Sequence, residues 1–142
     1  MNLVIVGCSR RKRDTAVPVP ALDLYEGGCV PSLRRRVGQL PGLRRQVRIL
    51  SAEHGLVDPD RPLLPYDRVL THVRAVELRS LTAAVLAREF ELSGTPAKAL
   101  VIAEPLYQSV VRDHLLGIPL HVLDDPRDWA SVSAVLDSWG WP

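Results

Sequence analysis

His54 lies in the segment 51–56, directly after an apolar run, where Ser51 and Gly55 favour a tight turn. A histidine at such a position can transfer a proton near neutral pH, or donate a hydrogen bond to a phosphate or an oxyanion. We therefore predict that His54 is catalytic and that Ser51 contributes to binding; the alternative is a structural histidine. No nucleophile-elbow pattern supports a Ser-His-Asp triad with Asp67.

The segment 7–12 combines a turn glycine, a hydroxyl group and three cationic side chains. Because Arg and Lys donate charge-assisted hydrogen bonds to phosphate, we predict that Ser9, Arg10 and Lys12 bind a phosphate. The spacing is not that of a Walker loop, and the alternative is a solvated basic turn. Cys8, also placed in the binding site, is either a nucleophilic thiolate favoured by nearby cations or a small buried residue at a strand end.

Three tyrosines and two carboxylates complete the candidate site. Tyr25 and Tyr107 could hold a base, although each could instead pack in the core. Tyr66 and Asp67 follow a proline, and Asp67 could bind a ribose hydroxyl or cap the next helix. Glu104 directly follows an apolar run, where it could stabilise an oxocarbenium ion, attack a sugar carbon, or simply begin a helix. We predict that Asp67 and Glu104 are catalytic and that the tyrosines bind substrate.

Short apolar runs without alternation indicate strands buried on both faces, and amphipathic patterns between them indicate helices. The predicted strands cover residues 3–6, 47–50, 99–103 and 119–123, and the predicted helices cover 30–40, 73–90, 106–116 and 128–139. The longest helix is expected to bury a broad stripe formed by Val73, Val76, Leu78, Leu81, Val85, Leu86 and Phe90. This alternation predicts an α/β fold, a Rossmann-like three-layer sandwich with a short, mostly parallel sheet of about four strands.

The two longest connections, 8–28 and 51–72, each follow a predicted strand. Loops of this length in a compact domain are commonly functional. In open α/β sheets, ligands bind at the carboxyl ends of the strands. The sequence therefore predicts that the functional site lies where these two connections leave the sheet.

Length and composition narrow the class of protein. The 142 residues fit one α/β domain spanning 1–142, and 46% apolar against 24% charged residues is a globular balance. The net charge is only +2, but arginines cluster in the first half, which indicates an anionic ligand there. Two cysteines and four histidines match no disulfide framework or metal site, so no metal and no cofactor is predicted.

No apolar run approaches the roughly 20 residues that span a bilayer, and the N-terminus does not resemble a signal peptide. We therefore expect a cytoplasmic protein without a membrane partner. Trp139 and Trp141 are expected either to cover the core or to form the contact of a homodimer.

The motifs together resemble an uncharacterised family of small bacterial and phage α/β domains. The shared patterns are Cys-Ser-x-x-Lys at 8–12, Asp-Leu-Tyr at 23–25, Leu-Ser-Ala-x-His-Gly-Leu at 50–56 and Pro-Tyr-Asp at 65–67. The peroxide-stress YaaA-like proteins are a looser comparison. Relatives carry Gly-x-x-Tyr after the third strand, whereas this chain has Glu104 in place of the glycine and keeps Tyr107. The resemblance supports the site rather than one reaction.

An anion loop, aromatic residues and carboxylates at neighbouring strand ends predict an enzyme acting on a nucleotide or nucleoside, at the N-glycosidic bond, by hydrolysis or transfer. Its partner would be a phosphate-bearing small molecule. One alternative is a nucleic-acid-binding or processing module, in which the arginines contact the phosphate backbone. Another is a thiol-dependent enzyme in which Cys8 reacts.

Overall fold

The computed structural model describes residues 1–142. The strands are β1 (Leu3–Gly7), β2 (Val19–Pro20), β3 (Val47–Ser51), β4 (Gly55–Val57), β5 (Pro62–Leu63), β6 (Ala99–Ile102) and β7 (Leu120–Leu123). The helices are α1 (Ala21–Leu24), α2 (Val30–Val37), α3 (Pro41–Arg44), α4 (His72–Ser93), α5 (Pro105–Val111) and α6 (Trp129–Ser138), with a 3-10 turn at Arg112–Leu115. The predicted α/β class is confirmed.

The main sheet has five strands in the order β4-β3-β1-β6-β7. β1, β3, β6 and β7 pair in parallel and correspond to the four predicted strands. β4 adds an antiparallel edge, because the chain turns at 52–54 and pairs Ser51 with Gly55. This hairpin lies inside the connection that the sequence presents as one long loop, so the predicted sheet is one strand short.

The sheet separates two apolar layers, as alternation along a strand requires. Val4 and Val6 of β1 face a core that includes Leu33 of α2 and Leu136 of α6. Ile5 faces the opposite core, which α4 and α5 cover. Helices therefore pack on both faces of the sheet, which is the three-layer arrangement that the sequence predicts.

Helix α4 buries a narrower face than the one predicted, and Leu78 and Leu86 of the predicted stripe lie on it. Its buried residues are Ala75, Leu78, Thr82 and Leu86, spaced by three or four, as one helix face requires. The predicted stripe is therefore wrong in part: its members Val73, Val76 and Leu81 are 72%, 67% and 56% exposed. The reason is that α4 packs on α5 and β4 through one narrow face, so apolar residues outside that face stay at the surface.

The two long connections are tied to each other. β2 pairs antiparallel with β5, which joins Val19 of the first connection to Leu63 of the second. Within the first connection, Lys12 forms an isolated bridge with Tyr25. The backbone N–H of Leu22 also donates to Pro59 O at 2.9 Å. These bonds hold the first loop against the second, and so fix the side chains that follow β1 and β3.

The C-terminal residues pack on the first core. Trp139 and Trp141 are partly buried there, with their rings edge to face and centroids 5.5 Å apart. Arg36 of α2 donates to Trp141 O at 3.0 Å and to Pro142 O at 2.7 Å. The tryptophans therefore cover the core, the first of their two predicted roles. Separately, none of the helices is both long enough and apolar enough to traverse a membrane.

Candidate functional site

A cavity of about 330 Å³ opens where the loops after β1 and β6 leave the sheet. The loop after β1 leads to α2 on one face, and the loop after β6 leads to α5 on the other face. Loops that diverge in this way leave a crevice at the carboxyl ends of the strands. Its walls are Cys8, Ser9, Arg10, Lys12, Asp67, Arg68, Val69, Leu70, Glu104, Leu106 and Tyr107.

Cys8 lies in the wall of this cavity and is half-buried. Its Sγ is 3.3 Å from the hydroxyl of Tyr107, which lies one turn into α5. Lys12, Tyr25 and Tyr66 lie close enough to Cys8 that a negative charge on its sulfur would raise the pKa of each. The thiol is therefore accessible from the cavity and surrounded by groups that can donate hydrogen bonds.

Behind Cys8 lies a chain of three hydroxyl groups with a defined direction. Ser51 Oγ accepts the backbone N–H groups of Glu53 and His54 at 3.2 and 3.0 Å, which occupies both of its lone pairs. Its single proton must then go to Tyr66 Oη, 2.6 Å away. Tyr66 in turn donates to Tyr25 Oη at 2.7 Å. The hydrogen bonds therefore run from Ser51 through Tyr66 to Tyr25.

All three tyrosines remain protonated at neutral pH. Burial raises the pKa of Tyr25 to about 12, because a charged phenolate would lose its hydration. Burial also moves the pKa of Tyr66 and of Tyr107 well above the ordinary value. Their hydroxyl groups therefore act as hydrogen-bond donors and not as bases.

Lys12 points toward the tyrosines. Its Nζ lies 4.3 Å from the ring centroid of Tyr66 and 5.8 Å from that of Tyr25, and it donates to Arg10 O at 3.2 Å. Burial lowers the pKa of Lys12, while the nearby carboxylate of Asp67 opposes the decrease. The ammonium group is therefore held over two aromatic faces, close to Asp67 in the cavity wall.

Ser9 connects the first loop to the turn before α2. Its hydroxyl donates to Arg11 O at 2.7 Å and accepts the N–H of Gly27 at 3.0 Å. Because its one proton is already used within the protein, Ser9 positions the loop and cannot also donate to a ligand through that proton. Arg10 is exposed and its guanidinium makes no hydrogen bond or ion pair in the protein.

Asp67 and Glu104 face the same cavity and neither carboxylate makes a hydrogen bond or an ion pair. Glu104 occupies the N-cap position of α5 without a capping bond from its side chain. The cap of α4 is Thr71, whose Oγ1 accepts the N–H of Arg74, and not Asp67. The sequence leaves open that Asp67 and Glu104 only cap helices, but neither side chain makes a capping hydrogen bond.

His54 lies outside the main cavity, in the turn between β3 and β4. Its ring packs edge to face on Tyr66 with centroids 5.3 Å apart, and it lines a separate, open cavity of about 380 Å³ next to Arg61. Burial, together with the charge of Arg61, lowers the pKa of His54. The structure therefore does not bring His54 together with Asp67 and Glu104.

The structure thus joins most of the predicted residues through one site, with Tyr25, Ser51 and Tyr66 as its support. Sequence reasoning missed Arg68, which lines the cavity and ion-pairs with Glu53 at 3.1 Å. Its position next to the Pro-Tyr-Asp motif is the signal that could have indicated it. The described chain contains no group of three or more His, Cys, Asp or Glu side chains placed to hold a metal ion.

Comparison with known proteins shows the family to which the chain belongs. A model described as a family of unknown function (DUF6884) matches residues 3–120. The chain belongs to that family. No curated protein matches it, and no solved structure does. The family match covers every residue of the main cavity and ends before α6. The looser resemblance to YaaA-like proteins stays a prediction.

Proposed function

We propose that this protein is a nucleotide- or nucleoside-processing enzyme that cleaves or transfers at the N-glycosidic bond. The observation that carries the proposal is the main cavity, where two unpaired carboxylates, Asp67 and Glu104, share a wall with cations and apolar side chains. Glycosidic chemistry uses a pair of carboxyl groups on either side of a sugar carbon that becomes cationic. The volume of about 330 Å³ lies within the range of small-molecule sites.

The apolar part of the cavity is the proposed binding position of the base. Val69, Leu70 and Leu106 line it, and Tyr107 adds an aromatic ring with a protonated hydroxyl group. A flat, largely apolar ring with polar edges would pack against these side chains and hydrogen-bond at its rim. The sugar would then lie between this wall and the carboxylates.

The two carboxyl groups take complementary roles in the proposed reaction. Glu104 in its acid form protonates the leaving nitrogen of the base, and the electron pair of the bond between C1 and nitrogen stays with the base. Asp67, beside the Lys12 ammonium, stabilises the cationic sugar and takes a proton from the attacking water or hydroxyl group. His54, which the sequence predicts to be catalytic, has no role in this proposed reaction because it lies outside this cavity.

The test is release of free base, measured by chromatography, from a panel of nucleosides and nucleoside monophosphates. Asp67→Asn and Glu104→Gln are each expected to lower the rate by about 10²-fold or more. Glu91→Gln, on the exposed side of α4, is the matched control and keeps the wild-type rate. Full turnover in both cavity variants, or no base release from any member of the panel, contradicts the proposal.

A thiol-dependent reaction at Cys8 is the second candidate. It is supported by the position of Sγ in the cavity wall, 3.3 Å from the hydroxyl of Tyr107. A thiolate there would accept a hydrogen bond from Tyr107 and would have a cation, Lys12, nearby. If Cys8→Ser leaves base release unchanged, the chemistry is assigned to the carboxylates. If Cys8→Ser abolishes base release, Cys8 is assigned as the reacting group.

Short single-stranded oligonucleotides belong in the same panel, because the exposed arginines also fit a nucleic-acid-binding module. Binding of oligonucleotides that fades with added salt, with no binding of mononucleotides, would replace the enzyme proposal with that module.

A further inference from the structure

A second cavity adjoins the first. It has a volume of about 340 Å³ and shares Cys8, Ser9, Arg10 and Glu104 with the main cavity. Its own walls are Gly7, Arg11, Gly27, Gly28, Pro126 and Arg127. A ligand at the shared wall can therefore extend into both cavities, and Glu104 is available to each part of it.

The second cavity is strongly cationic. Arg10, Arg11 and Arg127 line it, and none of the three guanidinium groups forms an ion pair or a hydrogen bond with the protein. Glu104 is the single acidic residue in its walls. Arginines that line one cavity and have unpaired guanidinium groups are well suited to a phosphate, to which each can donate two parallel hydrogen bonds.

The backbone of this cavity offers further donors. The N–H groups of Ser9, Arg10 and Arg11 make no hydrogen bond within the protein. Gly28 has a φ of +61°, a conformation that favours glycine, and a Cβ there would lie 3.0 Å from Pro126 O. The wall between Gly28 and Pro126 is therefore closely packed, and the hydrogen bonds of Ser9 hold the loop against it.

Lys12, in contrast, does not line this second cavity. Its ammonium group lies over the rings of Tyr66 and Tyr25. The sequence places the phosphate on Ser9, Arg10 and Lys12. The structure favours a different set, because Ser9 has its proton in use and Lys12 faces the tyrosines.

We infer that the second cavity is the phosphate subsite, formed by Arg10, Arg11 and Arg127, of a nucleotide whose base occupies the main cavity. The positions of base and sugar rest on the proposed function, whereas phosphate binding to the arginines does not. A phosphate monoester, close to doubly negative at neutral pH, or a diphosphate matches the charge of this subsite. The substrate class is thus a nucleoside phosphate, and a nucleoside without phosphate would use only the main cavity.

The test measures binding of pyrophosphate, a nucleoside and its 5′-monophosphate by isothermal titration calorimetry. Arg127→Gln and Arg11→Gln are each expected to weaken pyrophosphate and monophosphate binding about tenfold or more, and to leave nucleoside binding unchanged. Arg13→Gln is the matched control, because Arg13 is exposed on the same loop and lines neither cavity. It removes the same charge and is expected to change affinity less than about twofold.

Several outcomes overturn the inference. They are unchanged affinity in both cavity variants, an equal loss in Arg13→Gln, and a wild-type protein that binds neither pyrophosphate nor the monophosphate. Arg127-dependent pyrophosphate binding without base release from any nucleotide would retain the subsite and remove the glycosidic reaction. Base release that is equal for nucleoside and nucleotide, and insensitive to Arg127→Gln, would retain the reaction and remove the subsite.

Discussion

Replacing Tyr66 with phenylalanine tests the hydroxyl chain that supports the site. The Tyr66 hydroxyl accepts from Ser51 at 2.6 Å and donates to Tyr25 at 2.7 Å, and both partners are 0% exposed. Phenylalanine keeps the ring, so the packing on His54 and the position of the Lys12 ammonium over the aromatic face are retained. The substitution therefore removes the hydrogen bonds and little else.

The expected loss follows from the two groups that would be left without a partner. A buried polar group without its hydrogen bond costs about 1–3 kcal/mol. Ser51 would keep its two backbone N–H bonds and lose only its acceptor, while Tyr25 would lose its one hydrogen bond within the protein. We expect Tyr66→Phe to lower the free energy of unfolding by about 2–4 kcal/mol, or the melting temperature by roughly 5–15 °C.

Urea unfolding at pH 7, followed by circular dichroism, measures this change. The pKa values of Tyr25 and Tyr66 are raised by burial, so their stabilising effect is complete below pH 10, the ordinary value, and is lost as the pH rises further. Measurement at pH 7 thus isolates the hydrogen bonds. Tyr107→Phe is the control, since its hydroxyl contacts only the thiol of Cys8, and it should cost less than about 1 kcal/mol. A Tyr66→Phe protein within about 0.5 kcal/mol of wild type, with the same denaturant slope, would refute the hydroxyl chain.

Three further outcomes are expected. Burial lowers the pKa of His54, so just below pH 6.5 the unfolded chain binds more protons than the folded protein. The free energy of unfolding should therefore fall as the pH is lowered through this range in the wild type, and fall less in His54→Gln; His121→Gln, at an exposed site, is the control. Equal slopes in pH-dependent urea unfolding would contradict this. Iodoacetamide should label Cys8 and spare Cys29 in the native protein, because burial and nearby carboxylates raise the pKa of Cys29 to about 11; labelling of Cys8→Ser, read by mass spectrometry, would count against it. Arg36→Met should lower the free energy of unfolding by about 2–3 kcal/mol, because it leaves carbonyl groups of the C-terminal residues without their donor, and a change below about 0.5 kcal/mol in urea would oppose that role.

β1, β3 and β6 could be predicted because they are short, mainly apolar runs whose residues are buried on both faces of the sheet. β7 gives a weaker signal, because it is a half-buried edge strand that carries the exposed His121. β4 could not be predicted in the same way. Gly55–Val57 is only three residues long, and it becomes a strand because the hairpin turn at 52–54 returns it onto β3. Short edge strands depend on their partner for pairing, and a single sequence does not show that partner.

The face that α4 buries also depends on tertiary packing. Its sequence carries apolar residues around much of the helix, so periodicity alone permits several faces. Packing on α5 and β4 selects the one with Ala75, Leu78 and Leu86. The small residue Ala75 and the polar Thr82 on that face are not the positions that hydrophobicity would choose first.

For the site, strand ends indicated the correct region but not the direction of each side chain. His54 and Lys12 both follow strands that end at the crevice. The hairpin after β3 carries His54 toward the β4 edge, away from β1 and β6, and the bridge between Lys12 and Tyr25 turns Lys12 onto the tyrosines. The first direction depends on how the hairpin pairs, and the second on a bridge across the long loop after β1; neither pairing is visible in an apolar pattern.

The strand order explains why the remaining residues meet. After β1 the chain continues to β3 on one side and returns later to β6 on the other, so β1 is central and β6 is its neighbour. The loop after β1 carries Cys8 and Arg10, and the loop after β6 carries Glu104; they leave toward helices on opposite faces. The gap between them is the point where an open sheet of this kind binds its ligands. The strand order thus brings together residues almost a hundred positions apart in the sequence. A substrate bound there would contact both the cations of the loop after β1 and the Glu104 carboxylate of the loop after β6.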